Sequence, residues 1–329
     1  MTDDASLTQL PRPKIGIALS SGVAKGFAHI GVIRALLRHG IEPTIVSGTS
    51  IGAVAGAAYL AGKLDAFEDW GKSLSRFRLM SLLDFKIKTG GLIGGKRLMK
   101  LLEKNFGDLL IEDLKSPFVS IATDMVTGHE VWLRKGSLVN ALRASFSLPA
   151  VFPPVFTDNR WLLDGALVNP VPISPCRALG AQMVIAVNLG GDFIGKSKKP
   201  ETSYPTVAGF DVLSDENINE SARKKLLKTR TTKRFFEREP DAPSLFGVMM
   251  ATMNISQDRL ARSRMAGDPP DVMISPRVGH IGLMEFDRAQ ECIDAGEEAV
   301  EQALPFIMDA YQVLVADRFA FHERPDMEQ

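Results

Sequence analysis

The chain has 329 residues, of which 45% are hydrophobic and 24% are charged, and its formal net charge at pH 7 is zero. That length accommodates one large α/β domain or two smaller ones, and the composition is that of a soluble globular protein. Zero net charge excludes a global electrostatic attraction to nucleic acid or to an anionic membrane.

The cysteines and histidines indicate neither a disulfide framework nor a metal site. The two cysteines, Cys176 and Cys292, are far apart, which favours a reducing, cytoplasmic compartment. The five histidines are scattered without an H-x-x-x-H pair, so we expect no metal and no other cofactor. No apolar run reaches the roughly 18 residues that span a bilayer, and the polar N-terminus lacks the features of a signal peptide.

The beginning of the chain alternates strands and helices. Residues 14–19 predict a first strand, which a loop of small residues over 20–26 joins to a helix that ends near His39. Residues 41–46 predict a second strand, and the Ala-rich residues 53–60 predict a tightly packed helix. This alternation is typical of a parallel sheet that is covered by helices.

Further elements are predicted along the rest of the chain. Residues 64–110 are mostly helical, interrupted by a Gly-rich loop over 89–95. Predicted strands cover 118–124, 129–133, 160–163, 183–189 and 271–275, and predicted helices cover 137–146, 174–179, 246–265 and 286 into the 310s. We interpret the methionines of the helix over 246–265 as adaptable packing groups rather than as a lipid groove.

Composition divides the chain into segments. We expect a flexible N-terminus over 1–13, a catalytic domain over 14–190, a polar and partly mobile excursion over 191–243, helices and a strand over 244–320 that complete the same domain, and a frayed tail over 321–329. The excursion contains a basic run from Arg223 to Arg234, which allows a peripheral contact with an anionic inner membrane face. A solvated, charged loop is the interpretation of this run that we favour.

The pentapeptide Gly48-Thr49-Ser50-Ile51-Gly52 stands between a predicted strand and a predicted helix. G-x-S-x-G in that setting is the sequence form of a nucleophile elbow, in which glycines let the strand and the helix approach each other. The helix N-terminus then favours the negative charge that develops during acyl transfer. The alternative is that Ser50 only caps the helix.

The loop over 20–26 offers closely spaced backbone N–H groups just before the first helix. Such a turn forms a concavity that binds a phosphate or an oxyanion equally well, and Lys25 adds positive charge. The loop has neither the G-x-G-x-x-G spacing of a dinucleotide site nor a P-loop motif.

Asp164 precedes Gly165 at the end of a predicted strand, where its carboxylate can project over a sheet edge. A serine hydroxyl needs a base to take its proton. Asp164 can be that base if burial raises its pKa, or it can orient a histidine such as His280, which fits the chain order Ser, Asp, His. An ordinary Asp-Gly turn is the third interpretation.

Three motifs in this order resemble the patatin-like phospholipase family, and most closely its bacterial RssA-type branch. They are SSGVAKGFAHIGV over 20–32, GTSIG over 48–52 and DGA over 164–166. The segments RASFSLP over 143–149, NPVP over 169–172 and RMAGDPPD over 264–271 are similar to further parts of that family. The resemblance covers most of the chain and is strongest from residue 14 to residue 189.

The resemblance implies a three-layer α/β/α fold, with a central, mostly parallel sheet and a serine nucleophile elbow. It implies a lipid acyl ester hydrolase of the phospholipase A or lysophospholipase type, in which Ser50 attacks the ester and Asp164 acts as general base. The implied oxyanion donors lie at Gly22, Val23, Ala24 and Lys25, and the motif glycines and alanine are Gly48, Gly52, Gly165 and Ala166. No cofactor and no nucleic acid partner are implied.

The loop departs from the Gly-rich run that is usual in this family, because Ser21 and Val23 replace glycines. If residue 23 needs a positive φ, a valine there is strained, and the loss of one oxyanion donor lowers a rate by about 10²–10³-fold. Two alternatives therefore stay open: a conventional Ser-Asp-His esterase, and a catalytically weak lipid-binding or regulatory protein.

Overall fold

The structure is a computed structural model that describes residues 13–73, 96–192, 245–282 and 284–322. Several predicted segments lie outside the described residues. They are the N-terminus up to residue 12, the Gly-rich loop over 89–95, the excursion from 193 onward with the basic run from Arg223 to Arg234, and the tail from 323.

The described strands form one eight-stranded sheet. They are β1 (Ile15–Leu19), β2 (Ile45–Thr49), β3 (Phe118–Asp124), β4 (Glu130–Leu133), β5 (Val155–Thr157), β6 (Arg160–Asp164), β7 (Met183–Val187) and β8 (Val272–Ile274). The order is β5-β6-β3-β2-β1-β7-β8, with β4 also paired to β3. The pairs β1–β2, β1–β7, β2–β3 and β7–β8 are parallel, and the pairs that involve β4, β5 or β6 are antiparallel.

The described α-helices cover both faces of this sheet. They are α1 (Ala28–Arg38), α2 (Ile51–Leu60), α3 (Leu64–Ser73), α4 (Lys96–Phe106), α5 (Leu138–Ser145), α6 (Ile173–Ala178), α7 (Leu245–Gly267) and α8 (Ala289–His322). Because successive residues of a strand point to opposite faces, the buried clusters separate the two layers. Ile17 and Leu19 of β1 pack with α1, α2, α5 and α8, whereas Ala18 packs with α6 and α7. The expected three-layer, mostly parallel α/β/α architecture is therefore present.

Helices α1 and α8 cross at very short range on one face of the sheet. A Cβ built on Gly31 of α1 would lie 1.9 Å from the carbonyl oxygen of Ile293, and one on Gly296 of α8 would lie 2.1 Å from that of Ala28. Any side chain at either position would collide with backbone, so the two glycines set the distance between these helices. None of the described helices is long and apolar enough to cross a membrane.

One predicted strand differs from the structure, and one observed strand was not predicted. The second strand begins at Ile45 rather than at residue 41, because the N–H of Ile41 still bonds to Leu36 at the end of α1 and Pro43 has no N–H to give. Strand β2 instead continues through Thr49 and meets α2 at Ser50 without a loop. The short strand β5 was not predicted, since it follows two prolines and has only three residues.

Candidate active site

Strands β2 and β6 meet end to end along one edge of β3. Thr49, the last residue of β2, pairs with Ile121, and Asp164, the last residue of β6, pairs with the next residue, Ala122. Strand β4 pairs with both of these β3 residues, so it occupies the opposite edge and leaves β2 and β6 on the same one. The ends of the two strands therefore bring Ser50, which follows β2, close to Asp164, the last residue of β6.

Ser50 has the sharp backbone turn that an elbow requires, with φ 57° and ψ −123°. A non-glycine residue at positive φ is strained and is held there by its surroundings. A Cβ on Gly48 would lie 2.5 Å from the backbone of Ala53, and one on Gly52 would lie 2.3 Å from the carbonyl oxygen of Leu19. These two motif glycines are needed for close backbone approach. The Ser50 side chain makes no capping bond to α2.

The Ser50 hydroxyl donates instead to Asp164, with 2.7 Å between Oγ and Oδ2. The other carboxylate oxygen, Oδ1, accepts the N–H of Ala166 at 2.8 Å. The backbone of Asp164 is also fixed, because its carbonyl accepts the Thr123 hydroxyl at 2.8 Å and its N–H donates to the Ser147 carbonyl at 3.0 Å. Asp164 thus makes the local Asp-Gly turn and contacts the serine at the same time.

Burial sets the protonation of this carboxyl group. Asp164 is 1% exposed and Ser50 is 7% exposed. Removal from water raises the pKa of Asp164 to about 7, against the opposing hydrogen bonds from the Ala166 N–H and the Ser50 hydroxyl. A carboxylate with a pKa near neutrality can accept a proton usefully at that pH.

The C-terminal end of α5 and the residues just after it support both residues. The Ser145 hydroxyl oxygen accepts the backbone N–H of Ser50 at 2.8 Å, and Ser147 provides the carbonyl that binds Asp164. Ser145 is fully buried. Sequence reasoning singled out residues 143–149 only as a resemblance and did not identify Ser145, whose contact with Ser50 depends on tertiary structure.

The loop before α1 faces the serine through only part of its length. Gly22 and Val23 line the same cavity as Ser50 and Asp164. Ala24 is fully buried, and the N–H of Lys25 donates to the Gly22 carbonyl at 3.1 Å as the loop enters a 3-10 turn. Of the four candidate oxyanion donors, the structure therefore brings Gly22 and Val23 to the cavity. Val23 has φ 51°, the positive value at which a valine is strained.

Neither His280, the histidine that the chain order offers as a base, nor the buried His29 bonds to the carboxylate in the described contacts. The ring of His280 lies 2.7 Å from the carboxylate of Glu291. His29 is fully buried on α1, its Nε2 lies 2.8 Å from the Ser20 carbonyl oxygen, and burial lowers its pKa to about 4. His29 is therefore neutral at pH 7, and its ring contacts Ser20 at the start of the loop.

Helix α7 forms the wall of the cavity that faces the serine. Its side chains at Met250, Met253, Asn254 and Gln257 line that wall. Met250 and Met253 therefore line the cavity, and Met250 is also buried, as the predicted packing role requires. Among the residues described, no group of three potential ligands is arranged to hold a metal ion.

Helix α7 is fixed near its C-terminal end by one arginine. Arg264 donates to the Val168 carbonyl at 2.6 Å and to the Glu130 carboxylate at 2.8 Å. Glu130 also accepts the side-chain amide of Asn169 at 2.8 Å. These bonds join α7 to the segment that follows Asp164, so the wall of the cavity has a fixed position relative to the carboxylate.

The chain is similar to one protein family and to several known proteins. The profile of the patatin family, described as patatin-like phospholipase, matches residues 17–177. An uncharacterized NTE family protein of Mycobacterium tuberculosis is 32% identical over 329 residues, which cover 89% of this chain and 91% of that protein. The neuropathy target esterase sws of Drosophila melanogaster is 33% identical over 183 residues, which cover 54% of this chain and 13% of that protein. The crystal structure of VipD from Legionella pneumophila has a TM-score of 0.43 and 14% sequence identity, and the match covers 89% of this chain and 67% of that one.

Proposed function

Because the chain belongs to the patatin-like phospholipase family, we propose that it hydrolyses carboxylic esters of lipids, with Ser50 as the nucleophile and Asp164 as the general base. The observation that carries this proposal is the 2.7 Å hydrogen bond from Ser50 Oγ to Asp164 Oδ2 in a cavity. The name of the fly relative, an esterase, supports an ester as the substrate.

The first half of the reaction forms an acyl-enzyme. Ser50 Oγ attacks the ester carbonyl carbon as its proton moves to Asp164 Oδ2, and the carbonyl oxygen becomes an oxyanion. Gly22 and Val23, which line the cavity, supply the N–H groups that stabilise this charge, and the N-terminus of α2 contributes as well. When the tetrahedral intermediate collapses, the bond to the alcohol oxygen breaks, and that oxygen receives the proton from Asp164.

The second half releases the acid. A water molecule takes the place of the alcohol and gives a proton to Asp164 as its oxygen attacks the acyl carbon. Collapse of the second intermediate breaks the bond to Ser50 Oγ, which recovers the proton. Atoms and protons balance over the cycle without a cofactor.

A Ser-Asp dyad is the form of this chemistry that the contacts favour over a triad. The described contacts of the Asp164 carboxylate are with Ser50 and the Ala166 N–H. The ring of His280 is bonded to Glu291. The raised pKa of Asp164 further supports the dyad, because an aspartate that acts as the base without a histidine must be able to accept a proton near neutral pH.

The test uses purified full-length protein, a fluorophosphonate probe and a series of acyl esters. We expect Ser50→Ala to abolish covalent labelling and hydrolysis, and Asp164→Asn to lower kcat by about 10²–10⁴-fold. Ser120→Ala is a matched control, because Ser120 is equally buried but bonds to the Ala141 carbonyl. His280→Ala should retain activity.

Two results would contradict this proposal. The first is a wild-type protein that is inert to the probe under conditions that label a known serine hydrolase, which would favour a lipid-binding or regulatory role. Alternatively, a loss of activity in His280→Ala as severe as that in Ser50→Ala would replace the dyad with a triad.

A further inference from the structure

One stripe of α7 carries all of the side chains by which this helix lines the cavity. Met250, Met253, Asn254 and Gln257 are spaced i, i+3, i+4 and i+7, so they share one face of the helix. With a rise of about 1.5 Å per residue, the methionine pair and the amide pair are centred about 6 Å apart along the helix axis. The stripe therefore changes from apolar to polar over a distance comparable to the length of an ester and its neighbouring atoms.

The methionine end is the apolar part of the cavity. Met250 is 4% exposed, and Leu148 adds a further aliphatic side chain to the lining. Methionine is unbranched and polarisable, so it adapts to flexible aliphatic ligands of different length. This end is suited to an acyl chain.

The amide end is polar and more open to solvent. Asn254 is exposed, Gln257 is half-buried, and Ser21 on the opposite loop also lines the cavity. Amide and hydroxyl groups both donate and accept hydrogen bonds, which matches the free hydroxyl groups of an alcohol. Among the described residues that line the cavity, Asp164 is the only ionisable one, whereas a phosphate is held best by charge-assisted donors.

From this division, which rests on the proposed function, we propose that α7 orients the substrate. Met250 and Met253 hold the acyl chain, and Asn254 and Gln257 bind the alcohol portion as an uncharged group with free hydroxyls. The substrate class is then the acyl ester of a neutral polyhydroxy alcohol, such as a monoacylglycerol, rather than an anionic lysophospholipid. The Arg264 contacts hold both subsites at a fixed distance from Asp164.

The experiment compares two ratios in full-length protein. The first is kcat/KM for myristoylglycerol over octanoylglycerol, which reports the acyl subsite. The second is kcat/KM for myristoylglycerol over methyl myristate, which reports the alcohol subsite. Lysophosphatidate with the same myristoyl chain tests the charge of the alcohol portion. Wild-type protein should prefer myristoylglycerol to this lysophosphatidate by at least about tenfold, as expected for an anionic group that meets no cationic side chain among the described residues of the cavity lining.

Each pair of variants should change one ratio only. Met250→Ala and Met253→Ala should each lower the first ratio by about three- to tenfold, the effect of one or two methylenes losing apolar contact. Asn254→Leu and Gln257→Leu should each lower the second ratio by about two- to tenfold, the range for one hydrogen bond. Thr252→Ala and Ser256→Ala lie at exposed positions of the same helix and off the stripe, so these two variants are the controls and should leave both ratios unchanged.

The outcomes separate this proposal from the preceding one. An active enzyme whose variants lower hydrolysis of all esters equally, or that prefers the lysophosphatidate, overturns the division of the cavity and leaves the dyad intact. A wild-type protein that neither hydrolyses these esters nor reacts with the fluorophosphonate probe overturns both. Thermal unfolding of each variant identifies any that fails to fold, and the ratios of the folded controls and of the remaining member of each pair then decide the result.

Discussion

The hydroxyl oxygen of Ser145 accepts the backbone N–H of Ser50 at 2.8 Å, at the residue where β2 turns sharply into α2. The Ser50 side chain points to Asp164 and its amide points to Ser145. Ser145 therefore fixes the direction of the Ser50 hydroxyl without contacting the reacting atoms, and we assign it as a positioning residue.

Replacement of Ser145 by alanine should affect turnover more than binding. The change leaves the Ser50 N–H buried without its acceptor, which costs about 1–3 kcal/mol of stability. It also allows Ser50 to move, and small displacements of a reacting group lower rates by up to about 10²-fold. We expect Ser145→Ala to lower kcat by about 10- to 100-fold with little change in KM, and Ser145→Thr to recover part of it.

Steady-state kinetics and urea unfolding of the same preparations measure both effects. Ser120→Ala should lose comparable stability but keep its kcat, because its hydroxyl bonds to the Ala141 carbonyl away from the serine. If Ser145→Ala loses stability and retains the wild-type kcat, Ser145 is structural only.

The rate of ester hydrolysis should depend on the ionisation of Asp164. A general base must be deprotonated, and burial raises the pKa of Asp164 to about 7. We therefore expect kcat/KM to fall about tenfold for each pH unit below 7 and to level off above it. A pH series with a soluble ester measures the profile. An acid limb near pH 4, the ordinary range of an aspartate, would show that the carboxyl is not desolvated in solution.

The same carboxyl group should make the folded state less stable as pH rises. Below about pH 4 Asp164 is protonated in both the folded and the unfolded chain and contributes nothing to the pH dependence. Between pH 4 and 7 only the unfolded chain ionises, so stability falls, and above pH 7 the full loss of about 4 kcal/mol is present. Asp164→Asn removes this ionisation. The free energy of unfolding of the variant, relative to that of wild type, should therefore increase from pH 4 to pH 8.

Denaturant unfolding at several pH values measures that difference. An exposed aspartate changed in the same way, Asp108→Asn, is the control for the general effect of removing a negative charge. The prediction fails if the difference between Asp164→Asn and wild type is the same at pH 4 and at pH 8.

The backbone of Val23 predicts an unusual order of stability for small residues. At φ 51° a residue with a Cβ is disfavoured by about 1–2 kcal/mol, whereas glycine adopts this conformation freely. Val23→Gly and Val23→Ala both lose the packing of the valine side chain. We therefore expect Val23→Gly to be more stable than Val23→Ala by about 1 kcal/mol, the reverse of the order in a helix. Thermal unfolding measures the difference, and a more stable Val23→Ala would show that residue 23 has a negative φ in solution.

Much of the secondary structure could be predicted because its determinants are local. Apolar periodicity predicted the alternating strands and helices, and Ser137, where the predicted helix over 137–146 begins, is the N-cap of α5. The end-to-end meeting of β2 and β6 could not be predicted in this way, because it depends on which edge of β3 each strand joins. Strand register is set by long-range contacts.

In the candidate site, too, some residues could be predicted from local sequence and others depend on tertiary structure. Ser50 was recognisable from its glycines and its place between a strand and a helix, and Asp164 from the order of motifs. Ser145 and the stripe on α7 have ordinary local sequences, and their roles arise only when the fold brings them to the cavity. Which residues of the loop line the cavity could not be predicted either, because the bond from the Lys25 N–H to the Gly22 carbonyl forms only in the folded 3-10 turn.

The close crossing of α1 and α8 has a consequence for synthesis of the protein. The ribosome releases α1 and Ser50 well before α8, so the face of α1 that α8 covers stays open until Gly296 has emerged and can approach Ala28. The cavity wall on α7 also emerges after Ser50. The nascent chain therefore carries Ser50, the proposed nucleophile, through this part of translation without a finished site around it, and chaperones have an interval in which to bind the open face of α1.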